Sequence, residues 1–358
     1  MAASVTTAIA DHPLAPLTSA EINRAVSVVR ESGRLNESAR FAYVGLKDPD
    51  KKSAWSNGNG SATDRVVRLT IVQGPECDVV EAEVEVRSGE LRLWRKVTGV
   101  RPALLFEEAI IAIAVLTESP EWQAAMRKRG ITDLDCVQID PWPAGNFGLA
   151  HEDERRICRC LSYVREGPED NGYARPVEGV IAFVDMGRGE VLEVQDHGVV
   201  PLPPESGSYL PEDQPSLRTD LRPLEIIQPE GPSFSVEGNL VRWQKWSFRL
   251  TMDPYEGLIL HTVGYEDAGR IRPVLHRASV CEMVVPYGDP GPLHGWKNAF
   301  DAGEWGLGRM TNSLKLGCDC LGEIHYFDAV FTTEQGVPYT LENAVCMHEE
   351  DYGILWKH

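Results

Sequence analysis

Basic residues, long apolar runs and cysteine are all scarce in this sequence of 358 residues. It contains 35 lysine and arginine residues against 54 acidic residues, which gives a formal net charge of -19. Binding to a phosphate backbone or to anionic lipid depends on an excess of basic residues. We therefore expect neither nucleic acid nor a membrane surface as a partner. A cationic small molecule such as an amine would be attracted to a surface of this charge.

The longest apolar run, 109–116, is far short of the roughly 20 residues that a membrane-spanning helix needs. The first seven residues contain neither a basic residue nor the apolar core of a secretory signal, so we expect a cytoplasmic protein. Eight cysteines are too few for a disulfide scaffold, and most are expected to be small core residues. The sequence also lacks a phosphate-binding loop, a dinucleotide fingerprint and a Gly-x-Ser-x-Gly elbow. Composition and periodicity therefore give no function.

The first hundred residues show the pattern of one helix followed by a sheet. Thr18-Ser-Ala-Glu21 has the form of a capping box, and the helix that it begins ends at Gly33. Strands are predicted at 40–47 and 65–72, separated by a flexible polar loop at 56–61. Apolar and charged residues then alternate from Val80 to Arg87, which predicts a strand with one buried face. Ser88-Gly89 is expected to turn the chain into a short strand at 91–93.

The same order begins again at Pro102. Helices are predicted over 104–116 and from Ser119-Pro120 to Gly130, with Ser119 as the N-cap. Strands follow near 134–139, 156–164 and 177–184, and a hairpin at 187–189 leads into 191–194. The two predicted hairpins, at Gly89 and Gly189, lie 100 residues apart. This spacing is consistent with an ancient duplication of a small α+β module.

A proline-rich stretch separates this half of the chain from a third region. Prolines between 201 and 233 forbid regular elements and predict an extended crossing segment. Beyond it we find only strand patterns, at 240–250, 258–265, 271–276 and 279–286, which are typical of a β-sandwich. Because the sequence stops at 355–358 without closing strands, the sandwich is expected to be incomplete.

The predicted fold class is therefore α+β, with two small cystatin-like modules followed by the first part of a large antiparallel β-sandwich. We place the first module at 1–101, the second at 102–204, the linker at 205–233 and the sandwich at 234–358.

Few residues suggest chemistry on spacing alone. Cys318-x-Cys320 and Cys346-x-His348 could form a zinc site, although metal-binding pairs usually have two to four intervening residues rather than one. Consecutive residues such as 348–351 do not share one face, so we interpret that acidic run as a structural turn. Isolated histidines on strand or loop patterns are expected to be structural; these are His261, His276, His294 and His325.

Four consecutive motifs resemble those of the copper amine oxidases. They are Val284-Val-Pro-Tyr287-Gly-Asp-Pro290, Ala299-Phe-Asp301-Ala-Gly-Glu304-Trp, Leu316-Gly-Cys318-Asp-Cys320-Leu-Gly322 and Cys346-Met-His348-Glu-Glu-Asp351-Tyr-Gly353. Upstream, Gly231-Pro-Ser-Phe234 and Trp243-Gln-Lys-Trp246-Ser are also similar to that family, most of all to its actinobacterial phenylethylamine and histamine oxidases. The resemblance implies two small modules, called N2 and N3, before a catalytic sandwich. It also implies oxidative deamination of a primary amine to an aldehyde, ammonia and hydrogen peroxide.

The resemblance assigns roles to particular residues. Asp301 matches the catalytic base that takes a proton from the substrate's α-carbon, and apolar Phe300 and Trp305 are expected to bury it. Tyr287 matches the tyrosine whose phenol donates a hydrogen bond to the quinone cofactor. The alternatives are a turn aspartate and a strand-end tyrosine.

Further residues are assigned to substrate binding or to a disulfide. The substrate-binding residues implied are Trp142, Tyr173, Ala299, Phe300, Asp301, Gly303, Trp305 and Leu307; ordinary core packing remains the alternative for the aromatic ones. Ala299 departs from the bulky aromatic residue of close relatives, which predicts a wider passage. The family's disulfide falls on Cys320 and Cys346, an arrangement that competes with the zinc site and is unusual in a reducing compartment.

The cofactors implied are copper and topaquinone, and oxygen and a small primary amine are the substrates. We find neither the family's Asn-Tyr-Asp/Glu motif nor its His-x-His pair in the sequence, so no cofactor-binding or metal-binding residue is assigned. The expectation is an inactive base-bearing portion of an enzyme that forms a homodimer when complete. The alternatives are a non-catalytic interaction or amine-binding protein, and a lyase that uses Asp301 alone.

Overall fold

The architecture is taken from a computed structural model. It describes residue 10 and residues 12–55, 64–74, 76–148, 152, 155–205 and 207–350. The polar loop predicted at 56–61, the last three residues of the fourth motif and both chain ends lie outside these residues. Within them, no helix is long and apolar enough to cross a membrane.

The first unit contains two helices and one antiparallel sheet. Its elements are α1 (Ser19–Glu31), β1 (Arg40–Leu46), α2 (Lys51–Trp55), β2 (Val66–Gln73), β3 (Asp78–Glu85) and β4 (Glu90–Val97). The predicted capping box is confirmed: the Glu21 amide donates to Thr18 Oγ1 at 3.2 Å, and the Thr18 amide donates to Glu21 Oε2 at 2.9 Å. The sheet has the order β1-β2-β3-β4, and α1 packs on one face of it. The short helix α2 was not predicted.

The second unit repeats this plan. Its elements are α3 (Phe106–Thr117), α4 (Pro120–Lys128), β5 (Val137–Pro143), β6 (Ile157–Val164), β7 (Val180–Asp185) and β8 (Glu190–Asp196). The sheet order β5-β6-β7-β8 matches that of the first unit. Every residue of β6 and β7 is buried, because helices cover one face of this sheet and Leu293 and Trp296 cover the other. The strand predicted near 134–139 begins three residues later, at Val137.

The two units share a buried ion pair at the same place in the fold. In the first, Arg65 makes a bidentate contact with Glu21, the third residue of α1, at 2.5 and 2.9 Å. In the second, Arg156 makes the same contact with Glu108, the third residue of α3. Each arginine immediately precedes the second strand of its unit and also donates to carbonyl groups just before the helix. This shared pair supports the duplication predicted from the hairpin spacing.

The proline-rich segment, in the part of it that the structure describes, contains only one short 3-10 turn at Pro211–Asp213. A five-stranded antiparallel sheet follows, formed by β9 (Phe234–Glu237), β10 (Leu240–Trp243), β11 (Trp246–Asp253), β12 (Gly257–Asp267) and β13 (Arg270–Ser279). The single strand predicted at 240–250 is wrong: it is a hairpin, in which Gln244 takes a positive φ of 54°. The boundaries predicted at 271–276 and 279–286 also shift, and β9 was not predicted.

The hairpin of β16 (His325–Thr332) and β17 (Pro338–Met347) packs on the five-stranded sheet. The residues that meet between them include Val241, Leu250 and Phe327. Along the chain, the five-stranded sheet and this hairpin are separated by a two-stranded ribbon and a π-helical turn. The ribbon is formed by β14 (Val284–Pro286) and β15 (Asn298–Phe300), and the turn covers Asp301–Trp305. The predicted α+β class is therefore confirmed, and the ribbon carries the residues of greatest chemical interest.

Candidate active site

The ribbon fixes the relative positions of Tyr287 and Asp301. Its strands are antiparallel, with Val285 opposite Ala299. Backbone hydrogen bonds extend the pairing at both ends, from the Tyr287 amide to Lys297 O at 3.1 Å and from the Asp301 amide to the carbonyl of residue 283 at 3.0 Å. Tyr287 therefore lies opposite Lys297, and Asp301 lies four residues along the same strand. At a rise of about 3.3 Å per residue, this separates the two backbone positions by about 13 Å along the ribbon.

Strand alternation places both side chains on one face. In β15 the exposure alternates, since Lys297 and Ala299 are buried whereas Asn298 and Phe300 are exposed. Residues directly opposite each other in an antiparallel pair lie on the same face, as do alternate residues of one strand. Tyr287, Lys297, Ala299 and Asp301 therefore share the face that turns toward the second unit. A planar group lying between Tyr287 and Asp301 on this face would be within reach of both side chains.

Trp142, from β5 of the second unit, lies at the centre of this face. Its ring meets Tyr287, Trp296 and Trp305 in edge-to-face contacts, with ring centroids 5.6, 6.2 and 5.7 Å apart. Such pairs contribute roughly 0.5–1.5 kcal/mol each beyond the apolar area that they bury. The aromatic cluster thus joins the ribbon, the π-helical turn and the second unit into one wall.

A buried cation and a half-buried carboxylate accompany this wall. The Lys297 ammonium lies 4.4 Å from the Trp142 ring centroid and 5.2 Å from that of Tyr287. Asp140 accepts hydrogen bonds from Trp142 Nε1 at 3.2 Å and from the Tyr173 hydroxyl at 3.4 Å. Burial lowers the pKa of the Lys297 ammonium and raises the pKa of the Asp140 carboxyl. The aromatic faces stabilise the lysine cation in place of water.

The π-helical turn is held by backbone geometry that the local sequence supplies. The Gly306 amide donates to Asp301 O at 2.8 Å, which closes the wide turn. Gly306 has a φ of +87°, and a Cβ atom there would lie 2.8 Å from the Pro254 carbonyl oxygen. Glu282 accepts from the amides of Ala302 and Gly303 at 2.8 and 2.9 Å. These bonds fix the backbone that carries the Asp301 carboxylate.

Asp301 belongs to a group of three carboxyl groups. Burial raises the pKa of the neighbouring Glu304 carboxyl, and the charges of Glu282 and Asp301 raise it further. Asp301 itself is only partly buried, and Phe300 is 39% exposed on the opposite face of β15. The expected burial of Asp301 by Phe300 is therefore not seen, and Asp301 is partly rather than fully buried. The strand alternation that turns Asp301 inward turns Phe300 outward.

The turn is also attached directly to the second unit. The Leu104 amide donates to Glu304 O at 2.9 Å. Arg309 donates from Nε to Trp305 O and from Nη2 to Leu104 O. Segment 102–104 is in turn held by the buried Arg156 of the second unit. Asp301 is thus positioned by contacts between parts of the chain that lie about two hundred residues apart in sequence.

The other residues assigned from the sequence fall into two groups. The structure brings Trp142 and Trp305 together, Tyr173 joins them through Asp140, and Ala299 is buried on the neighbouring strand β15. Leu307 instead lies toward the five-stranded sheet, where its amide donates to Tyr255 O at 2.8 Å. The remaining glycine, Gly303, is exposed and engaged with Glu282.

The predicted disulfide is present between Cys320 and Cys346. Because both sulfur atoms are bonded to each other, the alternative zinc site cannot form in this state. His348 lies beside the disulfide, and Cys318 is an exposed free thiol.

Sequence reasoning missed several residues of this site. They are Asp140, Glu282, Trp296, Lys297 and Glu304. A signal for two of them was present. Asp140 alternates with buried residues of β5 and so shares a face with Trp142, and Lys297 precedes Asp301 by four residues, at the other end of β15. The carboxylate contacts of Glu282 depend on tertiary pairing and had no local signal.

Sequence models of three domains match the chain. They are described as "AGAO-like N2 domain", over residues 18–92, "Copper amine oxidase, N3 domain", over residues 107–209, and "Copper amine oxidase, enzyme domain", over residues 235–358. Their order is that of the two α+β units and the strand-rich region described above.

Similar proteins carry related descriptions. A primary amine oxidase of Arthrobacter sp. strain P1 is 45% identical over 348 residues, which are 97% of this chain and 53% of that protein. A histamine oxidase of Arthrobacter globiformis is 43% identical over 361 residues, or 99% of this chain and 52% of that protein. The solved structure of a copper-containing benzylamine oxidase from Hansenula polymorpha superposes with a TM-score of 0.83 at 30% identity, covering 97% of this chain and 56% of that one.

The chain thus spans about half the length of the relatives that it matches. Copper and topaquinone are the cofactors of the family to which these domains belong. With all three domain matches in order and relatives aligned along nearly its whole length, this chain belongs to the copper amine oxidase family.

Proposed function

We propose that this chain provides the base-bearing portion of a primary-amine oxidase, which converts an amine and oxygen to an aldehyde, ammonia and hydrogen peroxide. One observation supports the proposal: Tyr287 and Asp301 lie on the two paired segments of one ribbon, and the Tyr287 ring packs against Trp142, the centre of the aromatic wall. The copper-dependent relatives described as primary amine, histamine and benzylamine oxidases support the reaction class.

In this proposal Asp301 takes a proton from the α-carbon of the bound amine. Its backbone is fixed by the π-helical turn, so its carboxylate is held in position before substrate arrives. Tyr287 is 52% exposed, so its hydroxyl would be able to donate a hydrogen bond to an oxygen of a bound quinone and orient the ring. Trp142 and Trp305 form an apolar wall that excludes water beside the reacting carbon.

The residues present fit a planar quinone but do not supply copper ligands. The open face between Tyr287 and Asp301 can accept a ring, and a quinone bound there would supply the electron sink for the reaction. The 358 residues contain neither an Asn-Tyr-Asp/Glu motif nor a His-x-His pair. We therefore assign neither the quinone precursor nor the copper ligands to this chain, and expect no amine oxidation by these 358 residues alone.

Two expression products test the proposal. The first is the 358-residue chain with added copper, which is expected to form no quinone and no hydrogen peroxide from benzylamine. The second is a chimaera in which the part of the Arthrobacter globiformis histamine oxidase beyond its matched region follows residue 358. Quinone formation is measured by redox-cycling stain and by the phenylhydrazine adduct, independently of turnover.

In a chimaera that forms quinone, Asp301→Ala is expected to lower kcat by about 10²- to 10⁴-fold, the usual contribution of a general base. The matched control is Asp267→Ala, at an exposed position of β12, which is expected to change kcat less than twofold. Tyr287→Phe is expected to shift the quinone absorbance. Normal turnover in Asp301→Ala would contradict the assigned base. A quinone-containing chimaera without turnover would favour the non-catalytic amine-binding alternative.

Substrate range and assembly follow from the same proposal. Ala299 is buried on the ribbon face that carries Asp301, so a large side chain there would narrow the space above the face. We expect Ala299→Tyr to lower kcat/KM for benzylamine more than for methylamine; an equal effect on both amines argues against this.

The complete enzyme is expected to be a homodimer, which sedimentation of the chimaera would measure.

A further inference from the structure

The two cysteines of the disulfide and a neighbouring histidine are potential metal ligands that lie close together. Among the residues that the structure describes, Cys320, Cys346 and His348 form the group in which one potential ligand atom of each residue lies within 4.8 Å of the others. We propose that reduction of the disulfide converts this group into a binding site for one zinc ion. The proposal does not depend on amine oxidase activity.

Local structure explains why these residues meet. Cys346 lies near the end of β17, opposite Tyr326 of β16, and His348 follows two residues later. Residues two apart on an extended chain point to the same face, so the thiol and the imidazole are directed together. Cys320 is brought to them by a tight turn, in which the Gly317 amide donates to Cys320 O at 2.8 Å. The Leu314 amide, shortly before this turn, donates to Asn343 O of β17 at 3.1 Å, so a backbone contact as well as the disulfide attaches the segment that carries Cys320 to the strand that carries Cys346.

The spacing agrees with zinc coordination. Zinc–sulfur bonds of about 2.3 Å in tetrahedral geometry place two sulfur ligands about 3.8 Å apart, so shifts of about 1 Å would complete the site. His348 Nδ1 is buried and has no hydrogen-bond partner within the described residues; the nearest carboxylate oxygen, Glu350 Oε1, lies 3.7 Å away. Two thiolates, one imidazole and one water would give the four ligands that zinc prefers.

The redox step balances with a dithiol as reductant. Its two thiols transfer two electrons and two protons to the Cys320–Cys346 bond, giving two protein thiols and one oxidised dithiol. Zinc then binds both sulfur atoms as thiolates and displaces their two protons. The disulfide and the zinc site, which compete as interpretations of the sequence, are thus two redox states of the same residues. Reducing compartments favour the thiol state.

The test uses the 358-residue chain before and after reduction with a phosphine reductant that is then removed. The oxidised chain is expected to retain no zinc after gel filtration, and the reduced chain is expected to retain one zinc ion per chain. Cobalt substituted for zinc should give sulfur-to-metal charge-transfer absorption. Bound zinc should protect Cys320 and Cys346 from iodoacetamide while exposed Cys281 is still alkylated.

Variants separate this site from adventitious binding. His348→Ala should weaken zinc binding more than about 100-fold, beyond the 10- to 100-fold effect of losing a residue that only orients a ligand. The matched control is Cys318→Ser, a thiol in the same turn that is exposed and outside the group, and it should bind zinc normally. Circular dichroism verifies that each reduced variant remains folded. Retention of zinc by His348→Ala, loss of zinc in Cys318→Ser, or no stoichiometric zinc in the reduced folded chain would overturn the proposal.

Discussion

The buried ion pair of the second unit gives a stability prediction that needs only this chain. Arg156 is 6% exposed and Glu108 is 7% exposed, and their contact is bidentate. Arg156 also donates to Pro102 O at 3.1 Å and to Ala103 O at 2.8 Å. Arg156→Met keeps most of the volume of the side chain but removes all four hydrogen bonds. The Glu108 carboxylate is then left buried without its partner.

The expected loss of free energy of unfolding has two sources, the buried carboxylate that loses its ion-pair partner and the carbonyl groups that lose their hydrogen-bond donors. Breaking a buried ion pair by removing one partner costs about 3–5 kcal/mol, because the remaining charge is not solvated. In the double variant Glu108→Leu/Arg156→Met no charge remains, but the Leu105 amide, which donates to Glu108 Oε2 at 2.9 Å, loses its acceptor, and the carbonyl groups of Pro102 and Ala103 lose their donor. Since the Ala103 carbonyl belongs to a residue that is 2% exposed, we expect a residual cost of about 1–3 kcal/mol. The double variant should therefore be more stable than Arg156→Met by about 2 kcal/mol.

Both free-energy changes are measured by urea unfolding, with hydrogen exchange as the probe that shows whether the second structural unit is the part that unfolds. At an m-value near 2 kcal/mol/M, a loss of 4 kcal/mol moves the midpoint by about 2 M, with protection lost first in peptides of α3 and β6. Arg127→Met is the matched control, because this exposed arginine of α4 contacts the Gln123 side chain. It should cost less than about 0.5 kcal/mol. A loss below about 1 kcal/mol for Arg156→Met, or a double variant no more stable than the single one, would refute the argument.

Two further predictions concern the turn and the pH dependence of stability. Gly306→Ala should cost about 2 kcal/mol or more, because its φ of +87° and its contact with Pro254 O both oppose a Cβ atom; Gly167→Ala, where the added atom meets nothing within 4 Å, should be nearly neutral in the same urea titration. His261 is 2% exposed, and burial lowers its pKa to about 4 from 6.5. Because the pKa of His261 is lower in the folded state than in the unfolded state, folding favours the neutral imidazole. The contribution of His261 to the free energy of unfolding is therefore complete above pH 6.5 and decreases by about 3 kcal/mol in all as the pH falls toward 4. In His261→Gln the free energy of unfolding, measured by denaturant melts from pH 7 to pH 4, should depend less steeply on pH than in the unmodified chain. An unchanged pH dependence would contradict the assignment.

Local signals in the sequence predicted most of the elements of the two units. The capping box at Thr18 and Glu21, the N-cap Ser119 and the hairpins at Gly89 and Gly189 each depend on contacts within a few residues. Errors arose where distant packing decides. The run at 240–250 is apolar enough for one strand, but the turn at Gln244 lets β10 and β11 pair with each other. Burial of both faces of β6 was also beyond prediction, because the covering residues 293–296 lie about 130 positions away.

The candidate site was predictable only through its motifs. Resemblance to the amine oxidases selected Asp301 and Tyr287, and strand alternation, once the register is known, explains why they share a face. The same alternation moved Phe300 to the other face, which a list of neighbouring motif residues cannot distinguish. The role of Trp142 as the centre of the wall depends on contacts with residues about 150 positions later. No local pattern ranks it above the other tryptophans.

The two similar units contact the third region in different ways. The first strand of each unit sends an aromatic residue toward the third region. In the first unit the Tyr43 hydroxyl donates to Asp253 Oδ2 at 2.7 Å and the Tyr43 ring makes a tilted contact with Tyr255, so the polar group of Tyr43 has a hydrogen-bond partner. In the second unit Trp142 packs against Tyr287, whose hydroxyl-bearing ring remains half exposed. The first contact engages the Tyr43 hydroxyl with Asp253, whereas the second leaves Tyr287 half exposed on the ribbon that leads to Asp301, and it is this difference that directs our functional proposal to the second unit.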